Sequence, residues 1–428
     1  MKVLVIGGGG REHALCWKLA QSPKLTDLYC APGNPGIAAL ASLVPIAADD
    51  VQDLADFAAD LKIDLTVVGP ELPLTLGIVD EFARRGLAVF GPSRAAARLE
   101  GSKVYAKRFM ETHGIPTAEF EVAHDADSAR QAARRFGFPV VLKADGLAAG
   151  KGVILPDGEA ALEEALGIFF EERRFGTGGE HVVVERCLEG EEISLIAVCD
   201  GQNILPLASS KDYKRIGDGD EGPNTGGMGA HSPSGVLAPG DARDVLDQVM
   251  RPVVDGMAAE GQPFRGFLYA GLMLTAEGPR VLEFNVRLGD PEAQPLLMRL
   301  EDDLLEVLEQ GASGSFRRPR LGCRQEAAAC VVLAAAGYPE APVTGDEIEG
   351  LEAAAGHDGA VVFHAATRRD GDRILTAGGR VLNVCATGAG LREALRGAYR
   401  AAAEIRWPNR TFRTDIGKRV LARLESSD

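Results

Sequence analysis

A block of basic residues is missing from this chain. Its 46 Lys and Arg are scattered and outnumbered by 62 Asp and Glu, for a formal net charge of −16. That balance disfavours tracking along a nucleic-acid backbone and leaves small molecules as the natural partners. Cysteine is scarce: seven among 428 residues, odd in number and never spaced C-x-x-C. Neither a disulfide framework nor a structural zinc site is indicated, and a reducing, cytoplasmic setting is expected. Long apolar runs are missing too. Met1 to Ile6 reads as a short strand running into glycines, without the longer apolar centre of a secretory signal, and the run from Ala327 to Gly337 is too short to span a bilayer. A soluble protein with no membrane contact is expected. The remainder is ordinary globular material, 46% hydrophobic and 25% charged, enough for roughly three or four compact units.

The first hundred residues alternate strand and helix, which predicts an open parallel α/β sheet covered on both faces. Its loops Gly7 to Gly10, Ala31 to Gly36 and Gly69-Pro70-Glu71 fall at the strand ends where such sheets bind ligands, so a substrate pocket is expected there. The glycine run fails as a dinucleotide fingerprint, because Glu12 or His13 stands where the third glycine of G-x-G-x-x-G belongs. Amides at a helix start still offer a seat for one phosphate; a mere tight turn is the plainer alternative. A small α+β unit follows from Asp125 to Glu185, then an antiparallel region from Glu192 to Phe284 containing a long loop, Ser209 to His231. After a linker rich in Gly, Ser, Arg and Pro, Gly311 to Arg320, comes a tail with strands near Ala328 to Leu333, Val361 to Phe363 and Val381 to Ala386, and a helix from Leu391 to Ile405.

Two segments carry the chemistry. In Val140 to Val153 an apolar strand delivers Lys143 to a glycine-rich turn, Gly146 to Gly150-Lys151-Gly152, and leaves as another strand. The turn is one residue short of a P-loop, and Gly152 replaces the hydroxyl residue that would hold magnesium; it predicts a flap that closes over a triphosphate. A lone ammonium among apolar residues is costly unless an anion meets it, and a charge about 4 Å from a phosphate oxygen gains roughly 4 kcal/mol at an effective dielectric near 20. In Val281 to Asn285 strand alternation places the oxygens of Glu283 and Asn285 on one face, spaced for a divalent ion completed by phosphates and water. Arg287, in the turn Arg287-Leu288-Gly289-Asp290, reads either as a bidentate clamp for a substrate carboxylate or as an ion pair with Asp290 or Glu292. The basic, glycine-rich stretch Lys211 to Gly229 reads as a phosphate contact, with disorder as the alternative. The acidic turn after Glu185 reads as a solvated surface or an adenine and ribose contact.

These motifs, in order along nearly the whole chain, resemble the phosphoribosylamine–glycine ligase family, ATP-grasp enzymes of purine synthesis. They are Gly8-Gly9-Gly10-Arg11-Glu12-His13-Ala14, Ala31-Pro32-Gly33-Asn34, Val68-Gly69-Pro70-Glu71, Lys143 to Gly152, Gly222 to Gly229 and Glu283-Phe284-Asn285. The resemblance implies an N-terminal substrate domain (1–102), a central two-lobe ATP-grasp core (103–117 and 191–320) with a mobile lid (118–190), and a small C-terminal α+β domain (321–428). It implies ATP, Mg²⁺ or Mn²⁺, glycine and 5-phosphoribosylamine as ligands, and transient contact with the preceding enzyme of the pathway. Carried over by position, ATP would meet Lys103, Lys143, Gly146, Gly150, Lys151, Gly152, Glu185, Leu188 and Glu192. Glu283 and Asn285 would hold the metal. The substrates would meet Gly8, Gly9, Gly10, Arg11, Gly33, Asn34, Pro35, Gly69, Pro70, Glu71, Asp212, Lys214, Thr225, Gly226, Gly227, Gly289 and Asp290, and Lys143 and Arg287 would be catalytic. A different ATP-grasp ligase or carboxylase, or a regulatory nucleotide-binding protein, remain open at this point.

Overall fold

The computed structural model describes every residue except 148–151, 173, 175–180, 238 and 428. At the N-terminus, β1 (Lys2–Gly7), β2 (Asp27–Pro32), β3 (Ser42–Leu43), β4 (Leu65–Val68) and β5 (Val89–Phe90) form a parallel sheet in the order β3-β2-β1-β4-β5. Val3 to Ile6 and Leu65 to Val68 are buried along their whole length, as a parallel sheet covered on both faces requires. The chain leaves β1 toward β2 on one side and reaches β4 on the other, so the strand order reverses at β1. The crevice that this reversal opens lies at the carboxyl ends of β1 and β4, beside Gly8 to Gly10 and Gly69 to Glu71.

The next unit is the four-stranded sheet β6 (Phe120–Ala123), β7 (Val140–Ala144), β8 (Val153–Ile154) and β9 (Val182–Arg186), ordered β6-β9-β7-β8. Helices Ala126–Phe136 and Glu159–Leu166 cover it. Its interior, including Ala129, Phe136, Leu142, Leu162 and Val184, forms a separate apolar cluster. By contrast, the N-terminal sheet shares one apolar cluster with the central strands, where Leu4 and Ile6 lie with Ile193, Leu268 and Phe284, and another with the C-terminal strands, where Val3 and Leu15 lie with Cys330 and Phe363.

Beyond the small sheet come β10 (Glu191–Asp200), β11 (Ile204–Pro206), β12 (Lys211–Asp212), β13 (Arg215–Gly217), β14 (Glu221–Asn224), β15 (Gly229–Ser232), β16 (Arg265–Thr275) and β17 (Gly278–Asn285). The central antiparallel sheet is ordered β11-β10-β16-β17. The tail adds β18 (Ala327–Ala334), β19 (Ala360–His364), the hairpin β20 (Thr367–Asp370) and β21 (Arg373–Thr376), and β22 (Arg380–Gly388), packed by helix Leu391–Glu404. Here the structure departs from the expected long loop. Residues 209–231 contain four short strands, and two of them, β12 and β15, enter the C-terminal sheet in the order β12-β15-β18-β22-β19. The pairing partner of β15 is β18, nearly a hundred residues downstream (Gly229↔Val331, Ser232↔Ala328), so no local pattern announces it. The loop assigned by sequence to the central lobe is thus hydrogen-bonded into the tail.

Candidate active site

β7 ends by presenting Lys143 and then turns at Gly146, whose φ of +92° suits a residue without a side chain. The Lys143 ammonium donates to the carbonyl of Leu282 at 2.8 Å and pairs with Glu185 Oε1 at 2.9 Å. The small lobe therefore touches β17 directly beside Glu283. Glu185, on β9, is only 2% exposed and places its other oxygen 3.0 Å from Lys107 Nζ. Lys107 lies one turn after Lys103 on helix Lys103–Thr112, on the same face, and Lys103 Nζ stands 2.9 Å from Glu283 Oε2. Lysines and carboxylates thus alternate across the junction of the two lobes.

The titration of these groups follows from their pairing. Burial alone would raise the Glu185 carboxyl, yet Lys143 and Lys107 hold it below its ordinary value; burial pushes Lys107 down to about 8. The charge of Lys103 keeps the Glu283 carboxyl far below the usual range. Burial opposes the Lys103 ammonium, but Glu283 outweighs it and raises its value. Lys214 pairs with Glu192 at the start of β10. Its value is raised because that carboxylate and Asp212 overcome burial, while Asp212 itself is raised by burial. Thr225 Oγ1 donates to the Lys214 carbonyl at 2.7 Å and accepts from the Gly227 amide at 3.0 Å, closing the loop on itself.

The N-terminal crevice is lined differently from the phosphate seat read from the glycines. The Gly9 amide donates to Glu12 Oε2 at 2.6 Å and the Arg11 amide to Asp290 Oδ2 at 3.4 Å, so two carboxylates already cap this helix start. The Arg11 guanidinium is turned inward, onto Glu12 at 2.6 Å and the Leu288 carbonyl at 3.0 Å. Asn34 is buried, donates to the carbonyls of Gly8 and His364, both at 2.9 Å, and accepts from Gly36 and Ile37. Gly33 and Pro35 flank it, and the Gly33 and Gly69 amides donate to the carbonyls of Gly7 and Ile6 at the end of β1. Arg287 pairs with neither Asp290 nor Glu292. It reaches Glu100 at 2.8 Å, Glu71 at 3.2 Å and Asn285 Oδ1 at 3.3 Å. The local ion pair, one of the two readings of Arg287, is therefore replaced by pairs with Glu71, just after β4, and Glu100, which tie both to the end of β17. Gly289 lies against Glu292. Leu188, half-buried, follows β9, the Gly152 carbonyl accepts from the Ala144 amide at 2.8 Å, and Gly150 and Lys151 lie outside the described residues.

Three models of the phosphoribosylglycinamide synthetase family match in sequence: its N domain over residues 1–100, its ATP-grasp (A) domain over 101–293 and its C domain over 328–419. The chain belongs to the phosphoribosylglycinamide synthetase family. It is 52% identical to the phosphoribosylamine–glycine ligase of Allochromatium vinosum and 48% identical to that of Mesorhizobium japonicum, covering 100% of both chains in each case. The crystal structure of the Thermotoga maritima phosphoribosylamine–glycine ligase matches with a TM-score of 0.84 at 37% identity, over 97% of this chain and 100% of that one. The biotin carboxylase domain of a Hydrogenobacter thermophilus 2-oxoglutarate carboxylase, solved with MgADP and bicarbonate, shares the fold at 17% identity and a TM-score of 0.73, over 96% of this chain and 91% of that one.

Several residues of this synthetase-family site escaped the sequence reading. Lys107 shares Glu185 with Lys143, and its signal was its spacing of four from Lys103. Glu100 anchors Arg287 and also accepts from the Val286 amide at 2.7 Å. Asp145 accepts from Ser102 Oγ at 2.9 Å and from the Val104 amide at 3.2 Å, fixing the base of the flap to the start of helix Lys103–Thr112. Glu12, read as the residue that spoils a dinucleotide motif and as part of the Gly8 to Ala14 motif but given no role, is the group that fills the glycine loop.

Proposed function

We propose that this protein joins glycine to 5-phosphoribosylamine at the expense of ATP, giving glycinamide ribonucleotide, ADP and phosphate, in de novo purine synthesis. The observation that carries the reading is the meeting of Lys143 with β17: its ammonium sits on the carbonyl of Leu282, beside Glu283. We read Lys143 as the phosphate-binding lysine of the small lobe and Glu283 with Asn285 as the hard-oxygen pair of the large lobe, and this contact supports the reading by bringing the lysine onto the strand that carries the pair. Glu283 and Asn285 would hold Mg²⁺ or Mn²⁺, which neutralises phosphate charge when bound. Among the described residues no cluster of three or more His, Cys, Asp or Glu is arranged for a metal, so phosphates and water would supply the remaining ligands.

In the first step the glycine carboxylate, already ionised at neutral pH, attacks the γ-phosphorus as the bond to the β-bridging oxygen breaks, leaving glycyl phosphate and ADP. Lys103 and Lys143 contribute charge and placement. Arg287, buttressed by Glu71 and Glu100, is assigned to the substrate carboxylate. The unprotonated sugar amine then attacks the acyl carbon, phosphate leaves and the nitrogen sheds one proton. The small sheet is taken as the mobile lid of a four-part chain, because it has its own apolar core and can close as a body, while the N-terminal and central parts share one. A cytoplasmic setting accords with seven free cysteines, and transient contact with the enzyme that makes the labile amine completes the proposal.

The test is ADP release with ATP, glycine and phosphoribosylamine generated in the cuvette, omitting each in turn. All three must be required, and ¹⁸O from the glycine carboxylate must reach inorganic phosphate. A requirement for bicarbonate in place of glycine would point instead to a carboxylase.

A further inference from the structure

We propose that Arg380, on the C-terminal strand β22, is a positioning residue for the half of the reaction that accepts the sugar amine. The inference rests on the ligase reading above. The Arg380 Nη1 donates to the carbonyl of Gly226 at 2.6 Å, to that of Gly227 at 3.4 Å and to that of Asp290, while Nη2 stands 3.7 Å from Asp290 Oδ2. One planar guanidinium therefore ties the loop bearing Asp212, Lys214 and Thr225 to the turn that follows the Glu283 strand. Asp290 passes the constraint on: its carboxylate accepts from the Arg11 amide at 3.4 Å and from Gln294 Nε2 at 3.0 Å.

The strand is shaped for this reach. Opposite it, Leu333 pairs with Leu382 and Ala334 with Arg380, so β22 carries one extra residue. A bulge of this kind changes which residues share a face. It puts Arg380 on the same side as Asn383, which lies against Gly10 and Gln294, while Val381 and Leu382 both turn to the opposite apolar cluster. The glycines opposite are cut to fit. A Cβ on Gly226 would come within 2.9 Å of the Arg380 guanidinium carbon, and one on Gly227 within 2.4 Å of Pro291, at a φ of +114°.

The division of labour follows from what each part touches. The nucleotide-side cations and carboxylates, Lys103, Lys107, Lys143, Glu185 and Glu283, pair among themselves. The C-terminal residues reach Gly226, Gly227 and Asp290 through Arg380, Gly10 through Asn383, and His13 and Asn34 through His364. All of these belong to the crevice and to the loop, which we assign to the amine substrate because Arg287, the group assigned to the glycine carboxylate, is not among them. Loosening Arg380 should spare ATP and glycine and weaken use of the amine.

The experiment compares the intact protein with Arg380→Gln and Arg380→Lys, measuring kcat and the KM for ATP, glycine and phosphoribosylamine separately, with thermal midpoints alongside. Expected for Arg380→Gln is a rise of about tenfold or more in the KM for phosphoribosylamine, from loss of charge-assisted bonds to three carbonyls, with the other two KM values changed less than about twofold. Arg380→Lys, which keeps the charge but loses the fork, should recover part of the loss. Equal rises in all three KM values, or no change in any, would overturn the inference. If Arg380→Gln does not fold, Arg380→Lys decides the matter by the same split. Failure of the intact protein to release ADP with the three substrates would refute the ligase reading and this inference with it; a normal intact protein with an unsplit variant refutes the inference alone.

Discussion

At the scale of single residues, the nucleotide side of the site holds its own counterions. Among the described residues, the ammonium groups assigned to the nucleotide rest on carboxylates: Lys103 on Glu283 and Lys143 on Glu185. Binding of an anionic nucleotide is then an exchange of partners rather than the filling of an unpaired cationic hole, which avoids the cost of isolated buried charge. Glu283→Gln removes the charge that both Lys103 and a divalent ion require while keeping size and shape. Turnover is expected to fall by at least about a hundredfold, since charge stabilisation in such sites is worth several kcal/mol, with circular dichroism unchanged. A variant of near-normal turnover would take Glu283 out of the mechanism. Lys107→Met tests a residue that sequence reading passed over. It leaves Glu185, 2% exposed, with Lys143 as its remaining cation, so stability should fall by about 2 kcal/mol in urea titration. Lys143 and Glu283 were legible because their glycine and alternating-strand contexts are local; Lys107, Glu100 and Glu12 were not, because each acts on a group supplied by a distant segment or by its own helix start.

The same distinction holds for whole elements. The parallel N-terminal sheet, the Lys143 hairpin and strands β18, β19 and β22 could be read from apolar runs and turn residues, since each is specified by its own pattern. Strands β12 and β15 could not. They are two and four residues long, and exist as strands because β18 offers a ladder to β15 and β15 offers one to β12. Nor did the sequence reveal that the Gly226-Gly227 pair is required by an arginine from another domain. Gly227→Ala should expose that dependence. It forces a Cβ onto Pro291 at 2.4 Å from a backbone with φ of +114°, and strain of this kind costs about 1–3 kcal/mol. The thermal midpoint should fall, and the loop 209–231 should become a preferred site of limited proteolysis. An unchanged midpoint together with an unchanged digestion pattern would show that the loop is not held by this contact.

In the whole molecule, the N-terminal and C-terminal parts are sealed to each other by histidines kept neutral. His13, on the helix after β1, accepts from the His364 amide at 2.8 Å, and His364 Nδ1 meets Thr367 Oγ1 at 3.0 Å. In the sheet that joins loop to tail, His231 contacts the Pro233 carbonyl at 2.8 Å and Tyr213 at 3.2 Å. Burial is the leading cause that pushes His13 down to about 3, and His231 and His364 each down to about 4. All three lie below the ordinary histidine value, so on acidification the unfolded chain takes up protons that the folded protein refuses. The stability these groups contribute is complete above about pH 6.5 and is lost as pH falls from there toward their folded values. Between pH 7.5 and 5 the loss is about 2 kcal/mol for each, or roughly 6 kcal/mol for the three histidines together. Carboxylates held low by lysines, such as Glu283 and Glu185, retain their contribution down to about pH 4.5, while Asp212 and Glu100, held above the usual carboxylate range by burial, act in the opposite sense and offset part of the loss. Urea titration at pH 7.5 and at pH 5 should therefore show a marked drop in the midpoint. His13→Asn, which keeps an acceptor for the His364 amide but does not titrate, should reduce the drop by about a third. A midpoint that does not move across this range, or a drop of the same size in His13→Asn, would mean that the seam between the two ends of the chain is not held by neutral imidazoles.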